Sequence, residues 1–144
     1  MAIAHIWSAP PPMDVGAPMP HLKAHDDRLL VAYVCANPAF PGWDSGSEIN
    51  HPGFDAYSAV LEFSGLKDFS FGPPNDEKLR EHPLYLLGVR SYCFYEVTDI
   101  GRSGIRRWVI AFHDETLGVT ARSATVLKAR VEGEDTKAII NAIT

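Results

Sequence analysis

The sequence predicts a mainly β protein of the α+β class, with an antiparallel sheet of about five or six strands. The first observation is the stretch Leu84 to Arg130, where β-branched and aromatic residues fill successive apolar runs, as strands prefer. The second is that short turns separate these runs, whereas parallel strands need long crossovers. The third is the helical spacing of apolar residues in Glu134 to Ile143, with Asp135 or Thr136 as the cap, which predicts a short C-terminal helix. We expect a meander, with a barrel-like sheet or a sandwich as the alternative.

The chain divides into an extended, proline-rich N-terminal segment, residues 1–27, and a single antiparallel β-rich domain, residues 28–144. Five prolines between Ala9 and Pro20 disfavour both a helix and a strand ladder there. Of the 144 residues, 46% are hydrophobic and 22% are charged. This composition is typical of a globular domain, and a chain of this length buries about two thirds of its unfolded surface.

Charge and hydropathy argue against several classes of protein. The net charge of -5 disfavours nucleic acid as a partner, since phosphate binding needs clustered Lys and Arg. No apolar run approaches the roughly 18 residues of a membrane span. The N-terminus lacks the basic and apolar regions of a secretory signal. We therefore expect a cytoplasmic protein that binds neither nucleic acid nor a membrane.

Three strands are predicted in the first part of the domain. Apolar residues dominate or alternate in Arg28 to Ala36 and in Tyr57 to Phe63. Gly65 marks a turn or bulge before a third strand, Leu66 to Phe71. A short helical turn is then expected over Glu77 to His82, because acidic residues lie near its start and a proline follows it.

A long strand and a hairpin are predicted in the second part. Leu84 to Val97 has the composition of one strand, bent at Gly88. The segments Ile105 to Phe112 and Leu117 to Arg130 form the two arms of the hairpin. The polar turn between them is His113-Asp114-Glu115-Thr116.

Polar residues at two turns are the candidates for catalysis. His82 and His113, with Asp76, Asp114 or Glu115, could meet at one edge of the sheet. Imidazole and carboxylate groups act as metal ligands and as acid–base groups near neutral pH. The simpler interpretation is structural, because Asp and Thr are favoured in turns where their side chains bond the nearby backbone.

Other metal or redox chemistry has weaker support. His21 and His25 lie four residues apart, as zinc ligands on a helix do, but prolines precede them and a strand follows. Cys35 and Cys93 lie in apolar strand-like runs, so buried thiols are expected rather than a disulfide. No glycine-rich phosphate loop or nucleophile elbow is present, and we expect no cofactor.

Aromatic residues around a loop are the candidates for binding. Phe40, Trp43, Phe54 and Tyr57 cluster about the Pro- and Gly-containing stretch Asn37 to Pro52. Aromatic side chains on loops can anchor a partner. The alternative is a small core that folds the loop back onto the sheet.

Three blocks of the sequence resemble those of a family of small bacterial proteins with no known activity. The blocks are Phe71 to Glu77 (FGPPNDE), His82 to Leu84 (HPL) and Phe112 to Thr116 (FHDET). The resemblance spans roughly Arg28 to Arg130 and implies a shared fold and a bacterial source. At Leu117-Gly118-Val119 this chain departs from the family pattern of an aromatic, an acid and a cysteine. An activity carried by that acid or thiol would be missing here.

Two hypotheses of function follow. The first is a soluble, non-enzymatic binding domain that recognises another protein or forms a homo-oligomer through a sheet edge or face. The acidic charge, the loop aromatics and the lack of a complete catalytic signature favour it. The second is a metal-dependent or acid–base hydrolase that uses the histidines and carboxylates of the turns.

Overall fold

The computed structural model describes residues 2–14, 19–36, 57–73, 76–81, 85, 88–90, 92–99, 106–112, 115–133 and 135–143. Within these ranges it contains nine strands, a 3₁₀ helix at Asp76–Glu81 and an α-helix, α1, at Thr136–Ile143. The strands are β1 (Ala2–Ile6), β2 (His21–His25), β3 (Arg28–Val34), β4 (Tyr57–Ser64), β5 (Asp68–Gly72), β6 (Phe94–Asp99), β7 (Arg106–Ala111), β8 (Thr116–Ala121) and β9 (Ser123–Glu132).

The strands form two antiparallel sheets that pack face to face. The five-stranded sheet has the order β1-β6-β7-β8-β5, and the four-stranded sheet has the order β2-β3-β4-β9. The mainly β class, the antiparallel pairing and the short C-terminal helix are confirmed. The arrangement is the sandwich rather than a single meander, and the described strands close no barrel. They number nine rather than the expected five or six, because segment 1–27 contributes two and the arm expected over Leu117 to Arg130 is two strands.

The main core lies between the two sheets. Its largest side chains alternate along the strands, so that one face of each strand is buried against the opposite sheet. The ring centroids of Phe63 and Trp108 lie 5.4 Å apart, and those of Tyr33 and Phe94 lie 5.3 Å apart. Trp7 adds a further ring, 5.9 Å from Phe63. Aromatic packing across the sheets therefore joins the N-terminal segment to the domain.

Each sheet also buries part of its outer face. On the five-stranded sheet, Leu79 of the 3₁₀ helix and the buried Val89 pack in a cluster with Tyr95, Val97 and Val109. The predicted helical turn at Glu77 to His82 corresponds to this 3₁₀ helix, which begins one residue earlier. His82 itself lies outside the described residues.

The predicted C-terminal helix is α1, which covers part of the four-stranded sheet. Its Ile140 is buried in a cluster with Leu30, Ala32 and Val60. The Asp135 side chain accepts a hydrogen bond from the Ala138 backbone N–H at 3.0 Å, which makes it the N-cap. The helix therefore begins at the place that its capping residue predicts.

The chain changes sheets at a corner near Gly65 and Arg122. The β4–β5 and β8–β9 connections lie next to each other there, and the Arg122 backbone N–H donates to the Ser64 carbonyl at 3.0 Å. The expectation of one continuous arm over Leu117 to Arg130 is therefore wrong. Strands β8 and β9 belong to different sheets, because the chain bends at the corner between them. Both strands have a strand-like composition, so the sequence did not show the break.

The long strand expected over Leu84 to Val97 is also shorter in the structure. Only its last part forms β6, whereas Gly88 and Tyr92 have positive φ angles of 104° and 63°. Such angles lie outside the strand region of backbone space. Val89 lies in this apolar run outside any strand, and its side chain is buried on the outer face of the five-stranded sheet.

The N-terminal segment, residues 1–27, supplies an edge strand to each sheet. β1 pairs with β6, and β2 pairs with β3. Between them, Met13 forms an isolated bridge with Cys35. None of the helices in the described part of the chain is long and apolar enough to cross a membrane.

Candidate functional site

A pocket opens on the outer face of the four-stranded sheet, at the end of α1. Because α1 has eight residues and lies over β2 and β3, part of this face stays uncovered. The pocket has a volume of about 400 Å³. We call it the α1 pocket; it is lined by Lys23, His25, Arg28, Leu30, Glu62, Leu127 and Ile143.

The strand register places polar side chains side by side in the α1 pocket. Lys23 lies opposite Leu30, which in turn lies opposite Glu62. In the next row, His25 lies opposite Arg28. Alternate residues of a strand share a face, so these side chains lie on the face away from the main core.

An ion pair lies in the pocket. Arg28 Nη1 lies 3.1 Å from Glu62 Oε2, and the Ser64 hydroxyl donates to the other carboxylate oxygen at 3.3 Å. The Arg28 side chain is 46% exposed, so this pair contributes little to stability in water. Its main effect is geometric, because Arg28 and Ser64 each hold one of the two carboxylate oxygens of Glu62.

Further positive charge lies on β2. Lys23 is on the same strand as His25, whose Nε2 lies 3.4 Å from the Asp26 carboxylate. Among the described lining residues, Lys23 and Arg28 outnumber the single carboxylate of Glu62. Lys23 and Arg28 therefore place positive charge on the wall formed by β2 and β3.

The opposite wall of the pocket is apolar. Leu30 is buried beneath it, while Leu127 of β9 is 37% exposed and Ile143 is half-buried. Ile143 is held in place because α1 is docked at its other end, where His21 Nδ1 and the Thr136 hydroxyl are 2.7 Å apart. The pocket thus offers charge on one side and aliphatic surface on the other.

The structure describes two of the five predicted catalytic residues, Asp76 and Glu115. His82, His113 and Asp114 lie outside the described residues. Asp76 begins the 3₁₀ helix, and the Glu115 carbonyl accepts a hydrogen bond from the Phe112 N–H at 3.0 Å, next to β8. The described residues therefore bring none of these candidates together.

The structure describes one of the four predicted binding aromatics, Tyr57. Phe40, Trp43 and Phe54 lie outside the described residues. Tyr57 is buried in the main core, and its hydroxyl donates to the Ala36 carbonyl at 2.9 Å. The Arg130 guanidinium lies 4.4 Å from the centre of its ring. At this position the side chain packs within the fold.

The structure also shows the environments of the histidine pair and of the two cysteines. His21 and His25 lie on β2, a strand rather than a helix. The described part of the chain contains no group of three or more His, Cys, Asp or Glu residues that could hold a metal ion. Cys35 and Cys93 are free, and burial raises the pKa of the Cys35 thiol to about 12. A thiol with this pKa is a poor nucleophile near neutral pH.

Sequence reasoning missed the residues of the α1 pocket. Alternation of polar and apolar residues in 21–25 was a usable signal for β2, but the neighbouring prolines favoured an irregular segment. Lys23, Leu127 and Ile143 are far apart in the chain, so no local pattern could group them. Their proximity is a result of strand pairing and helix docking.

Comparison with known proteins does not extend this description. No family model, no curated protein and no solved structure matches the chain. The resemblance of the Phe71, His82 and Phe112 blocks to small bacterial proteins therefore stays an expectation.

Proposed function

We propose that this protein is a non-enzymatic binding domain and that the α1 pocket is its binding site. The observation that carries the proposal is the cavity of about 400 Å³, with Lys23 and Arg28 on β2 and β3 and an apolar wall at Leu127 and Ile143. Small-molecule sites have volumes of roughly 300 to 1,000 Å³ and combine apolar surface with a few polar groups. Four strands and a docked helix supply the walls, which favours a preformed site.

The chemistry of the pocket supports binding over hydrolysis. A general base needs an oxygen or nitrogen atom directed at the proton it removes. Both oxygens of Glu62 already accept hydrogen bonds, from Arg28 and Ser64. The hydrolase hypothesis rests on His82 and His113, which lie outside the described residues.

The proposal is tested by screening a library of small fragments against the isotope-labelled protein by NMR. Binding fragments should shift the backbone amide signals of Lys23, Leu30, Leu127 and Ile143. Leu127→Trp should remove these shifts by filling the pocket, whereas Lys128→Trp, at the next and exposed position of β9, should keep them. A library that shifts no pocket signal would contradict the proposal.

A second candidate, self-association, is favoured by the exposed residues of β1. This strand is an edge of the five-stranded sheet, and its Ile6 and Ile3 are 76% and 38% exposed. An apolar edge strand offers unpaired backbone groups to a second copy. Sedimentation over a hundredfold concentration range should detect a dimer that Ile6→Lys weakens. A wild-type protein that stays monomeric throughout excludes this role for β1.

A further inference from the structure

We infer that β1 pairs with β1 of a second copy of this chain, antiparallel and centred on Ala4, so that the five-stranded sheets of the two copies become continuous. The inference rests on the self-association proposed above and gives that contact a register. It follows from the direction of the backbone groups of β1, from the fit of its side chains and from its lack of charge.

The free edge of β1 presents the backbone groups of alternate residues. The Trp7 N–H donates to the Phe94 carbonyl at 2.9 Å, and the pairing of β1 with β6 continues this register without a shift. Because hydrogen-bonded and non-hydrogen-bonded pairs alternate in an antiparallel ladder, the odd-numbered residues of β1 direct their N–H and C=O groups at β6. The even-numbered residues direct theirs at the free edge, where no other described strand pairs with them. These residues are Ala2, Ala4 and Ile6.

Pairing centred on Ala4 uses all of the backbone groups at this edge. In that register Ala4 lies opposite Ala4 of the second copy, and Ala2 of each copy lies opposite Ile6 of the other. Each of these three pairs exchanges two hydrogen bonds, about six in all. A shift of one copy by two residues would leave one of the three positions without a partner in the other β1.

The side chains of β1 also fit this register. Ala2, Ala4 and Ile6 share one face of the strand. The Ile6 side chain, which is 76% exposed, would lie beside Ala2 and diagonally across from Ala4 of the second copy, and these small residues leave room for it. On the other face, Ile3 would lie opposite His5 of the second copy. Pairing therefore covers the two exposed isoleucines of β1.

The absence of charge distinguishes β1 from the other edges. The described edge strands are β1, β2, β5 and β9, and of these only β1 contains no Lys, Arg, Asp or Glu. Strand β9 carries Lys128 and Arg130 and has two register shifts against β4, and both features protect an edge from further pairing. Because each copy has a net charge of -5, an uncharged strand is where two copies meet with least repulsion.

Ala4→Pro tests whether the free edge makes the contact. Proline removes the Ala4 N–H, which faces away from β6, so the fold of each copy should be kept. Sedimentation should show that this variant no longer dimerises, whereas Ala4→Ser, which keeps the N–H, still does. Thermal melts of both variants check that the fold is intact.

Disulfide trapping tests the register, and it suits the weak dimer expected of a short strand. Ala4→Cys should form a disulfide-linked dimer on mild oxidation, because Cα atoms of a hydrogen-bonded pair lie about 5.5 Å apart and disulfides span roughly 4.4 to 6.8 Å. Ile6→Cys should not, although position 6 is the more exposed, because the two copies of this residue would lie about 14 Å apart. Mixing Ile6→Cys with Ala2→Cys should restore the link. Wild-type protein, with free Cys35 and Cys93, gives the background.

The possible failures are distinguishable. If the wild type dimerises but Ile6→Cys links as fast as Ala4→Cys, the register is wrong and self-association stands. If Ala4→Pro still dimerises, the contact does not use this edge and the inference falls. If the wild type stays monomeric at every concentration, self-association and the inference fail together, while the α1 pocket is judged by its own fragment screen.

Discussion

At the scale of single residues, two buried groups show how the core constrains ionisation. Tyr33 and Cys35 lie on the inner side of the sandwich, and burial raises the pKa of each group above its ordinary value. The Tyr33 hydroxyl donates to the Pro11 carbonyl at 2.7 Å. A neutral phenol therefore helps to hold the proline-rich segment against β3.

These raised pKa values predict a loss of stability at alkaline pH. The unfolded chain releases the Cys35 proton near the ordinary pKa of 9.0, whereas the folded chain keeps it to about 12. Between these values the folded state binds more protons, so the free energy of unfolding falls as pH rises. Tyr33 acts in the same direction.

Tyr33→Phe tests this linkage. The variant should lose about 1 kcal/mol at pH 7, because its hydrogen bond to Pro11 is gone. It should also show a shallower fall in stability at pH values above the ordinary tyrosine pKa of 10.0, because one titrating group is removed. Urea unfolding measured at several pH values gives both quantities. An unchanged alkaline slope would mean that Tyr33 does not contribute.

At the scale of elements, the corner near Gly65 restricts which residue can occupy position 65. Gly65 has a φ of 63°, and a Cβ atom added there would lie 2.8 Å from the Arg122 Cβ. Both backbone conformation and space therefore favour glycine. This residue allows the chain to pass from β4 into β5 of the other sheet.

Gly65→Ala should destabilise the protein more than Gly88→Ala. Gly88 also has a positive φ, of 104°, but an added Cβ would meet nothing within 4 Å. Both variants incur conformational strain of roughly 1 to 3 kcal/mol, and only the first adds a clash. Thermal unfolding of the pair separates these effects; equal losses of stability would show that the clash is relieved without cost.

Helix α1 is stabilised mainly by docking, since an eight-residue helix is marginal in isolation. Ile140→Ala should cost about 2 to 5 kcal/mol, because it removes the residue buried against Leu30, Ala32 and Val60. Asn141→Ala, at the adjacent exposed position, is the matched control and should change stability by less than about 0.5 kcal/mol. Denaturant unfolding measures both; a small loss for Ile140→Ala would contradict the docking of α1.

At the scale of the whole molecule, one aromatic core joins the two sheets. Phe63 belongs to the four-stranded sheet, and its ring contacts Trp108 of the other sheet and Trp7 of the N-terminal segment. Neither sheet can bury this face alone, so we expect them to unfold together.

Phe63→Ala tests this coupling. The substitution should lower the free energy of unfolding by about 3 to 5 kcal/mol, because it leaves a cavity that faces both sheets. Unfolding followed by tryptophan fluorescence and by far-ultraviolet circular dichroism should give coincident transitions in the wild type. Two separate transitions would show that the sheets are independent units.

Features that depend on residues close together in the chain were predictable from the sequence. Alternation in Arg28 to Ala36 and Tyr57 to Phe63 predicted β3 and β4, and the polar turn after Phe112 predicted the β7–β8 hairpin. Asp135 and the apolar spacing after it predicted α1. These signals are local because turns, caps and strand alternation involve residues a few positions apart.

Features that depend on residues far apart in the chain are visible only in the folded protein. Whether Leu117 to Arg130 is one strand or two is set at Arg122, where the backbone bonds to Ser64, 58 residues earlier in the chain. The membership of β2 in a sheet likewise depends on its pairing with β3. The α1 pocket needs Lys23, Leu127 and Ile143 together, and only the packing of the sheet and the helix brings them within reach of one ligand.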